Sequence, residues 1–289
     1  MGGSRLSPGR QGEKRLVVCA DDFGRDVAVN EAVEEAHRNG VLTVASLMVG
    51  TPGATDAVTR AKRLPSLGVG LHLVLADGRP VLPASEVPVL VGVDGAFDPN
   101  MVRAGFRFFL LPAARRQLAA EIRAQFEAFR ATGLALDHVN GHKHVHLHPT
   151  VARLIVEIGR DYGMPAVRLP DEPVAPLRLA VPQERLAMPA WSPVVTALRR
   201  RLDRAGLAHN DQVFGIAWSG AMVEDRVLAL LPHLPGGISE IYCHPAAGAA
   251  SSISGYRHAE ELAALLSPRV RQRIAELGLR LARYRDLAR

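Results

Sequence analysis

Leu136-Asp137-His138-Val139-Asn140-Gly141-His142-Lys143-His144-Val145-His146-Leu147-His148-Pro149 holds five of the chain's eleven histidines, and from His142 to His148 every second residue is histidine. Extended backbone sends alternate side chains to one side, so an extended reading brings four imidazoles to one face. Imidazole is the commonest protein ligand of transition metals, and a cluster of this density points to a metal site by composition. The plainer readings are a solvated histidine-rich loop or an added tag. The internal position, and the apolar helical pattern that follows at once, argue against a tag. A metal site usually draws on distant segments, so the rest of the chain has to supply a carboxylate or another histidine.

Working outward, residues 134–140 read as the strand that delivers the histidine run, and residues 150–162 as a helix with Pro149 at its start and Gly163 at its end, the usual asymmetry. Upstream, the apolar runs 16–20, 43–49 and 69–75 read as strands, and 27–38 and 54–63 as helices between them. Short connections in that alternation imply parallel βαβ units. Residues 77–99 are loose and rich in Pro and Gly, and 101–132 are helical, so 77–132 forms an excursion from the repeat. Downstream, 166–169, 212–217, 238–243 and 280–284 read as strands, and 194–205, 223–231, 258–266 and 269–277 as helices, with a Pro-rich ordered loop over 170–193. About seven such alternations suit an α/β fold of the distorted, incomplete (β/α) TIM-like barrel type better than an open sheet. The expected organisation is a disordered tail over residues 1–14 and one barrel domain over 15–289, without internal repeats.

The totals agree with one large domain: 289 residues, 48% hydrophobic, net charge +6, isoelectric point near 9.9. The basic residues are mostly Arg scattered through helical segments, with no aromatic-basic interleaving, which disfavours nucleic acid as a partner. Cys19 and Cys243 lie in apolar runs and read as buried thiols of a reducing compartment. Residues 1–14 have no apolar core of a signal peptide, and no run reaches membrane-spanning length, so the expected location is cytoplasmic.

The chemically suspicious residues share one placement. Asp21 and Asp22 follow the first strand, His72 lies in the third, His142 follows a later one, and His244 follows another. Sites of parallel α/β folds gather at the C-terminal ends of strands. One carboxylate and two imidazoles hold a divalent cation with positions left open, and a second carboxylate beside it can take a proton from water. Each residue also has a bland reading: a helix cap and turn for Asp21-Asp22-Phe23-Gly24, a hydrogen-bonded core histidine for His72, a strand terminator for His244. Four strand ends with ionisable groups are harder to assign to coincidence than any one of them.

These residues carry a resemblance. Ala20-Asp21-Asp22-Phe23-Gly24, Gly70-Leu71-His72-Leu73, His142-Lys143-His144-Val145-His146 and Tyr242-Cys243-His244-Pro245 resemble, in order, the motifs of the YdjC-like carbohydrate deacetylases. Val41-Leu42-Thr43, Asp137-His138-Val139-Asn140, His146-Leu147-His148-Pro149 and Ala166-Val167-Arg168-Leu169-Pro170 look like its hopanoid-biosynthesis-associated branch. The resemblance implies a metal-dependent N-deacetylase, often dimeric, acting on an amino sugar such as an N-acetylglucosaminyl hopanoid. It implies Asp22, His72 and His142 as ligands of one divalent cation (Zn2+ or Mg2+, with Mn2+ or Co2+ open), Asp21 as base and His244 as second catalytic group, most simply the acid. Lys143 stands where many members have histidine. Asn140, His144, His146 and Arg168 are the expected substrate contacts; Arg168 could instead position an acid or be a plain surface arginine at a strand end, and the resemblance does not decide whether His144 or His146 faces the metal.

Rival readings are a soluble N-acetylglucosamine oligosaccharide deacetylase, a non-catalytic sugar- or lipid-binding member of the fold, and a metal phosphoesterase. One segment bears on a lipid substrate. Residues 101–116 hold Phe106, Phe108 and Phe109, three of the chain's eight Phe, together with four Arg. Apolar side chains with a basic fringe suit a peripheral contact with the inner face of a membrane; packing on the barrel or a homodimer contact suits them too.

Overall fold

Chain order in the computed structural model, which describes residues 13–186, 191–248 and 255–287, follows the expected alternation closely. β1 (Lys14–Phe23), α1 (Val27–Asn39), β2 (Val44–Leu47), α2 (Ala54–Ala61) and β3 (Gly68–Leu73) come first. The excursion then contributes α3 (Met101–Leu110) and α4 (Pro112–Ala131) before β4 (Leu136–Gly141) and α5 (Pro149–Gly159). Next come α6 (Val174–Ala180), α7 (Ser192–Ala205), β5 (Gln212–Phe214), α8 (Glu224–Leu230), β6 (Gly237–Cys243), α9 (His258–Leu266), α10 (Pro268–Glu276) and β7 (Arg280–Leu281).

All strand pairs are parallel, in the order β4-β3-β2-β1-β6-β5, and β7 pairs with the start of β1. The sheet curls. Residues 166–171 span the gap between its edges: Val139 N donates to Ala166 O, Val167 N to Ala208 O and Val213 N to Asp171 O. A distorted (β/α) barrel results. The expected strand 166–169 exists only as isolated bridges to Val139 and Ala208.

Strand parity sorts the side chains. Leu16, Val18 and Ala20 of β1 join the main core beneath the helices, whereas Val17 and Cys19 belong to a smaller cluster inside the barrel. The same alternation puts Ala45 and Leu47, Leu71 and Leu73, and Ile241 and Cys243 outward. It leaves Ser46, His72, Glu240 and Tyr242 inward. Gly70 sits on the inward face because a Cβ there would lie 2.4 Å from the His138 ring. Tyr284, just after β7, enters from the opposite end of the barrel; its hydroxyl donates to Asn210 Oδ1 at 2.9 Å and its main-chain N to Asp137.

Four expectations need correction. The histidine run is not extended: His142–Leu147 forms a 3-10 turn with Lys143 and His144 in the left-handed region. The helical stretch 101–132 is two helices broken at Leu111–Pro112, because Pro fits only the first turn of the second. The Pro-rich stretch contains α6, whose Pro173 and Pro176 occupy the cap and first turn, where a missing N–H costs little. The last strand is two residues long, and Tyr284–Asp286 is a 3-10 turn. The expected tail lies outside the described residues through residue 12, and Lys14 is already in β1.

Candidate metal and catalytic centre

Two consecutive residues of a regular strand face opposite ways, so Asp21 and Asp22 could not both serve one cleft from an ideal β1. The register with β2 shifts between Ala20 and Phe23, and Asp22 has φ 63°. Asp is among the few non-glycine residues that adopt this region readily. Asp21 therefore keeps the inward parity of Val17 and Cys19, while Asp22 swings over the strand end.

There Asp22 Oδ1 lies 3.1 Å from His142 Nδ1 and 3.4 Å from His72 Nε2. One donor atom each from Asp22, His72 and His142 lies within 4.8 Å of the others, and all three residues are buried. His72 Nδ1 donates to Asn140 Oδ1 at 2.7 Å. In the neutral ring that leaves Nε2, the atom facing Asp22, available to a cation. Once any protons they turn toward Asp22 are displaced, two imidazole nitrogens and one carboxylate oxygen on one point fit a divalent cation of the Zn2+ type, and other first-row divalent ions are compatible with the same set.

Behind this triad the barrel interior is polar. Arg168 donates to Asp21 Oδ2 at 2.6 Å and Oδ1 at 2.9 Å, and to both oxygens of Glu240. Asn140 Nδ2 reaches Asp21 Oδ1 at 3.1 Å and Ser46 Oγ at 2.9 Å, and Ser46 meets His138 Nε2 at 3.1 Å. Burial pushes the Asp21 carboxyl up, but the Arg168 charge, with His72, more than reverses it and holds Asp21 well below the usual range. Asp22 is likewise held low against burial, by His142 and His72.

His244 sits at the end of β6. Its main chain is clamped: its N–H donates to Glu261 Oε2 at 2.6 Å, and its carbonyl accepts from His258 Nδ1. Its imidazole is free of such ties, since Nδ1 has no partner among the described residues. Burial pushes this imidazole below the ordinary histidine range, against the pull of Asp22 and Asp21.

Asp21, Asp22, His72, His142 and His244 form the floor of a cleft of about 400 Å3. Its walls include Trp191, Tyr242, Tyr256 and His144, and its rim Arg25, Asp77 and Lys143. Arg25 pairs with Asp22 Oδ2 at 3.1 Å and Lys143 with Asp77 at 2.6 Å. Flat apolar side chains with a few fixed polar groups are the usual lining of a small-molecule site. A second depression of about 320 Å3, lined by Met48, Pro52, Val74, Val81 and Arg79, shares Arg25 and Asp77 with the cleft.

Of the four expected substrate contacts, only His144 lines the cleft, where its Nε2 meets Tyr242 Oη at 3.1 Å. Asn140, His146 and Arg168 are fully buried behind the floor. His146 Nε2 donates to the Arg168 carbonyl at 3.2 Å, away from the triad. Burial drops His146 to about 3 and His144 also well below the usual range, so both are neutral near pH 7. The turn at Lys143 and His144 breaks the period-two spacing and turns His146 away, whereas Asn140 faces inward from β4 and Arg168 comes from the 166–171 segment. Sequence reading missed two inward-facing residues, Ser46 of β2 and Glu240, which stands four positions before His244. It also missed the walls Trp191 and Tyr256, for which the scarcity of aromatics (two Trp, four Tyr) was the available signal.

A model of the family described as YdjC-like protein matches residues 15–276. The chain belongs to the YdjC-like family. A relative from Geobacillus stearothermophilus named carbohydrate deacetylase is 34% identical over 275 residues, covering 93% of this chain and 96% of its own. Another of that name from Thermoanaerobacter pseudethanolicus is 28% identical, with 81% of each chain covered. A crystal structure from Enterococcus faecalis V583, provisionally described as a cellobiose-phosphate cleavage protein, superposes with TM-score 0.77 at 26% identity. It covers 96% of this chain and 100% of that one. The YdjC-like match therefore spans the triad, Asp21 and His244 together.

Proposed function

We propose that this YdjC-like chain is a carbohydrate deacetylase that hydrolyses the acetamide of an amino sugar, and that its substrate is an N-acetylglucosaminyl hopanoid, yielding the glucosaminyl lipid and acetate. One observation carries the reading: a buried Asp-His-His set, a second carboxylate and a free imidazole share the floor of one aromatic-walled cleft. The family and the name of the relative covering 96% of its length support deacetylation.

Asp22, His72 and His142 would hold the divalent cation. Such an ion supplies Lewis acidity toward water and the amide carbonyl oxygen. Asp21 is the base. Arg168 keeps it ionised and aims it, with two hydrogen bonds onto its two oxygens. His244 serves the leaving amine, which is a poor leaving group without a proton. Burial favours the neutral imidazole near pH 7, so the protonated form that serves as the acid gains population as pH falls. Trp191, Tyr242 and Tyr256 offer faces for the sugar ring, and the adjoining depression leaves room for what the sugar is attached to.

The test is acetate release from the N-acetylglucosaminyl hopanoid, beside the same assay on N-acetylglucosamine oligosaccharides. Release from the lipid alone supports the full reading; release from the oligosaccharides alone retains the deacetylase and removes the hopanoid. Phosphate release from a phosphoester with no acetate from either substrate would remove the deacetylase.

A further inference from the structure

α3 is apolar on two faces. Ala104 and Phe108 point into the core, as a helix packed on a barrel requires. Val102, Phe106, Phe109 and Leu110 are 69%, 62%, 55% and 63% exposed. Their spacing of i, i+4, i+7 and i+8 makes a continuous stripe on the solvent side. With Leu111 they are five of the nine large apolar side chains exposed among the described residues. Scattered exposed apolar residues need no explanation, but a contiguous stripe does. Phe108 is not part of it: it is buried with its ring 5.7 Å from that of His148, which corrects its expected lipid contact.

The charge carried by the stripe's own segment is basic. From Pro99 to Ala120 the chain holds Arg103, Arg107, Arg115 and Arg116 and no acidic residue. Asp98 pairs with Arg103 and Arg107. Arg115 and Arg116 are exposed, and no carboxylate among the described residues pairs with either. A second copy of this chain would be a poor occupant in a twofold contact, because such a contact sets the same patch against itself and brings arginine to arginine. An anionic lipid surface matches both the apolar stripe and its cationic fringe.

The helix also lies at the end of the barrel that carries the cleft. His148 Nε2 donates to Gly105 O at 3.1 Å, and Thr150 Oγ1 to Phe108 O at 3.3 Å. Both donors belong to the start of α5, directly after the turn that carries His142 and His144.

We infer that the outer face of α3 is a docking surface for an anionic membrane, with Phe106 and Phe109 inserted among the acyl chains and Arg115 and Arg116 at the headgroups. The inference deepens the glycolipid reading and rests on it only for the identity of the substrate; docking itself is read without turnover. The full chain is sedimented with vesicles of phosphatidylcholine alone and of phosphatidylcholine with phosphatidylglycerol. Binding is expected to the anionic vesicles, to weaken as salt rises, and to fall at least about tenfold in Phe106→Ser/Phe109→Ser, since each lost apolar contact is worth about that factor or more. Arg115→Gln/Arg116→Gln should weaken binding to the anionic vesicles while leaving the apolar stripe in place. Because the replaced rings are exposed, the melting temperature should stay within a few degrees, and turnover of a short soluble N-acetylglucosaminide should be unchanged. Three results would overturn the inference: equal sedimentation with and without anionic lipid, unchanged binding in the double serine variant, or a dimer in light scattering that the double serine variant converts to monomer. A protein that binds vesicles but releases no acetate keeps the docking surface and loses the deacetylase reading instead.

Discussion

Arg168 holds Asp21 by both carboxylate oxygens, at 2.6 and 2.9 Å, from a position with no exposed surface. Its Nε and Nη2 bind Glu240 as well, so one planar guanidinium bridges two buried carboxylates. Lysine, with a single ammonium, cannot reproduce that fork. Arg168→Met should leave both acids buried without a counter-charge and cost about 3–5 kcal/mol of stability. Arg168→Lys should fold better than the Met variant yet lose most turnover, since Asp21 is no longer aimed. Denaturant unfolding and kcat on the two variants check this; full activity in the lysine variant would remove Arg168 from any role in positioning Asp21.

Asp22→Ala, His72→Ala and His142→Ala should each lose bound divalent metal together with activity, since each removes one of the three converging donors. Asp21→Asn should keep its metal and lose turnover, because Asp21 is not in the donor set. Elemental analysis of the purified variants decides. Metal retained in Asp22→Ala and lost in Asp21→Asn would reverse the two aspartates.

If His244 delivers the proton, His244→Ala should lower kcat by a factor of roughly 10² or more and leave KM nearly unchanged. The sign of the pH effect follows from its role. An acid must be protonated, so kcat/KM in the native chain should fall as pH rises through the His244 pKa. Burial places that pKa below the ordinary histidine value. The variant should lack this alkaline limb, and a limb that persists unchanged would leave His244 as a structural strand end.

Glu261 accepts from the main-chain N–H groups of Met222 and His244 and is pushed up to about 7, chiefly by burial. A raised acid binds its proton more tightly in the folded chain. Its contribution therefore favours the fold at low pH and is lost as pH rises from the unfolded value, near 4.5, to about 7. The full change is on the order of 3 kcal/mol. Glu261→Gln removes the titration, so the loss of unfolding free energy between pH 5 and pH 8 should shrink. Equal losses in both proteins would show that Glu261 does not titrate in this window.

The repeat of strand and helix was legible because Val-rich runs such as Val17-Val18 and amphipathic stretches such as α1 carry strong local signals. The positions of Asp21, Asp22, His72, His142 and His244 were legible because each falls at or near a strand end. What local pattern could not show was the backbone turn at Lys143 and His144. Lysine does not signal a left-handed conformation and histidine does so only weakly, yet the turn sends His142 to Asp22, His144 to Tyr242 and His146 to Arg168. The buried layer of Arg168, Glu240, Ser46 and Tyr284 was hidden for another reason. A single polar residue in an apolar strand reads as a minor interruption until the neighbouring strands are known. Ser46 acquires its partners only when Cys19, 27 residues earlier, and Asn140 and His138, over ninety residues later, are brought beside it.

The central claim is that the cleft removes acetate from an amino sugar through Asp21 and a cation held by Asp22, His72 and His142. Its most direct measurement is acetate and free amine released from a defined N-acetylglucosaminide by the purified chain, after metal removal and after Zn2+ is restored. The expected result is acetate and amine in equal amounts, lost on metal removal, regained with Zn2+, and absent in both Asp21→Asn and Asp22→Ala. Acetate release that survives metal removal, or that persists in Asp22→Ala, would contradict the account.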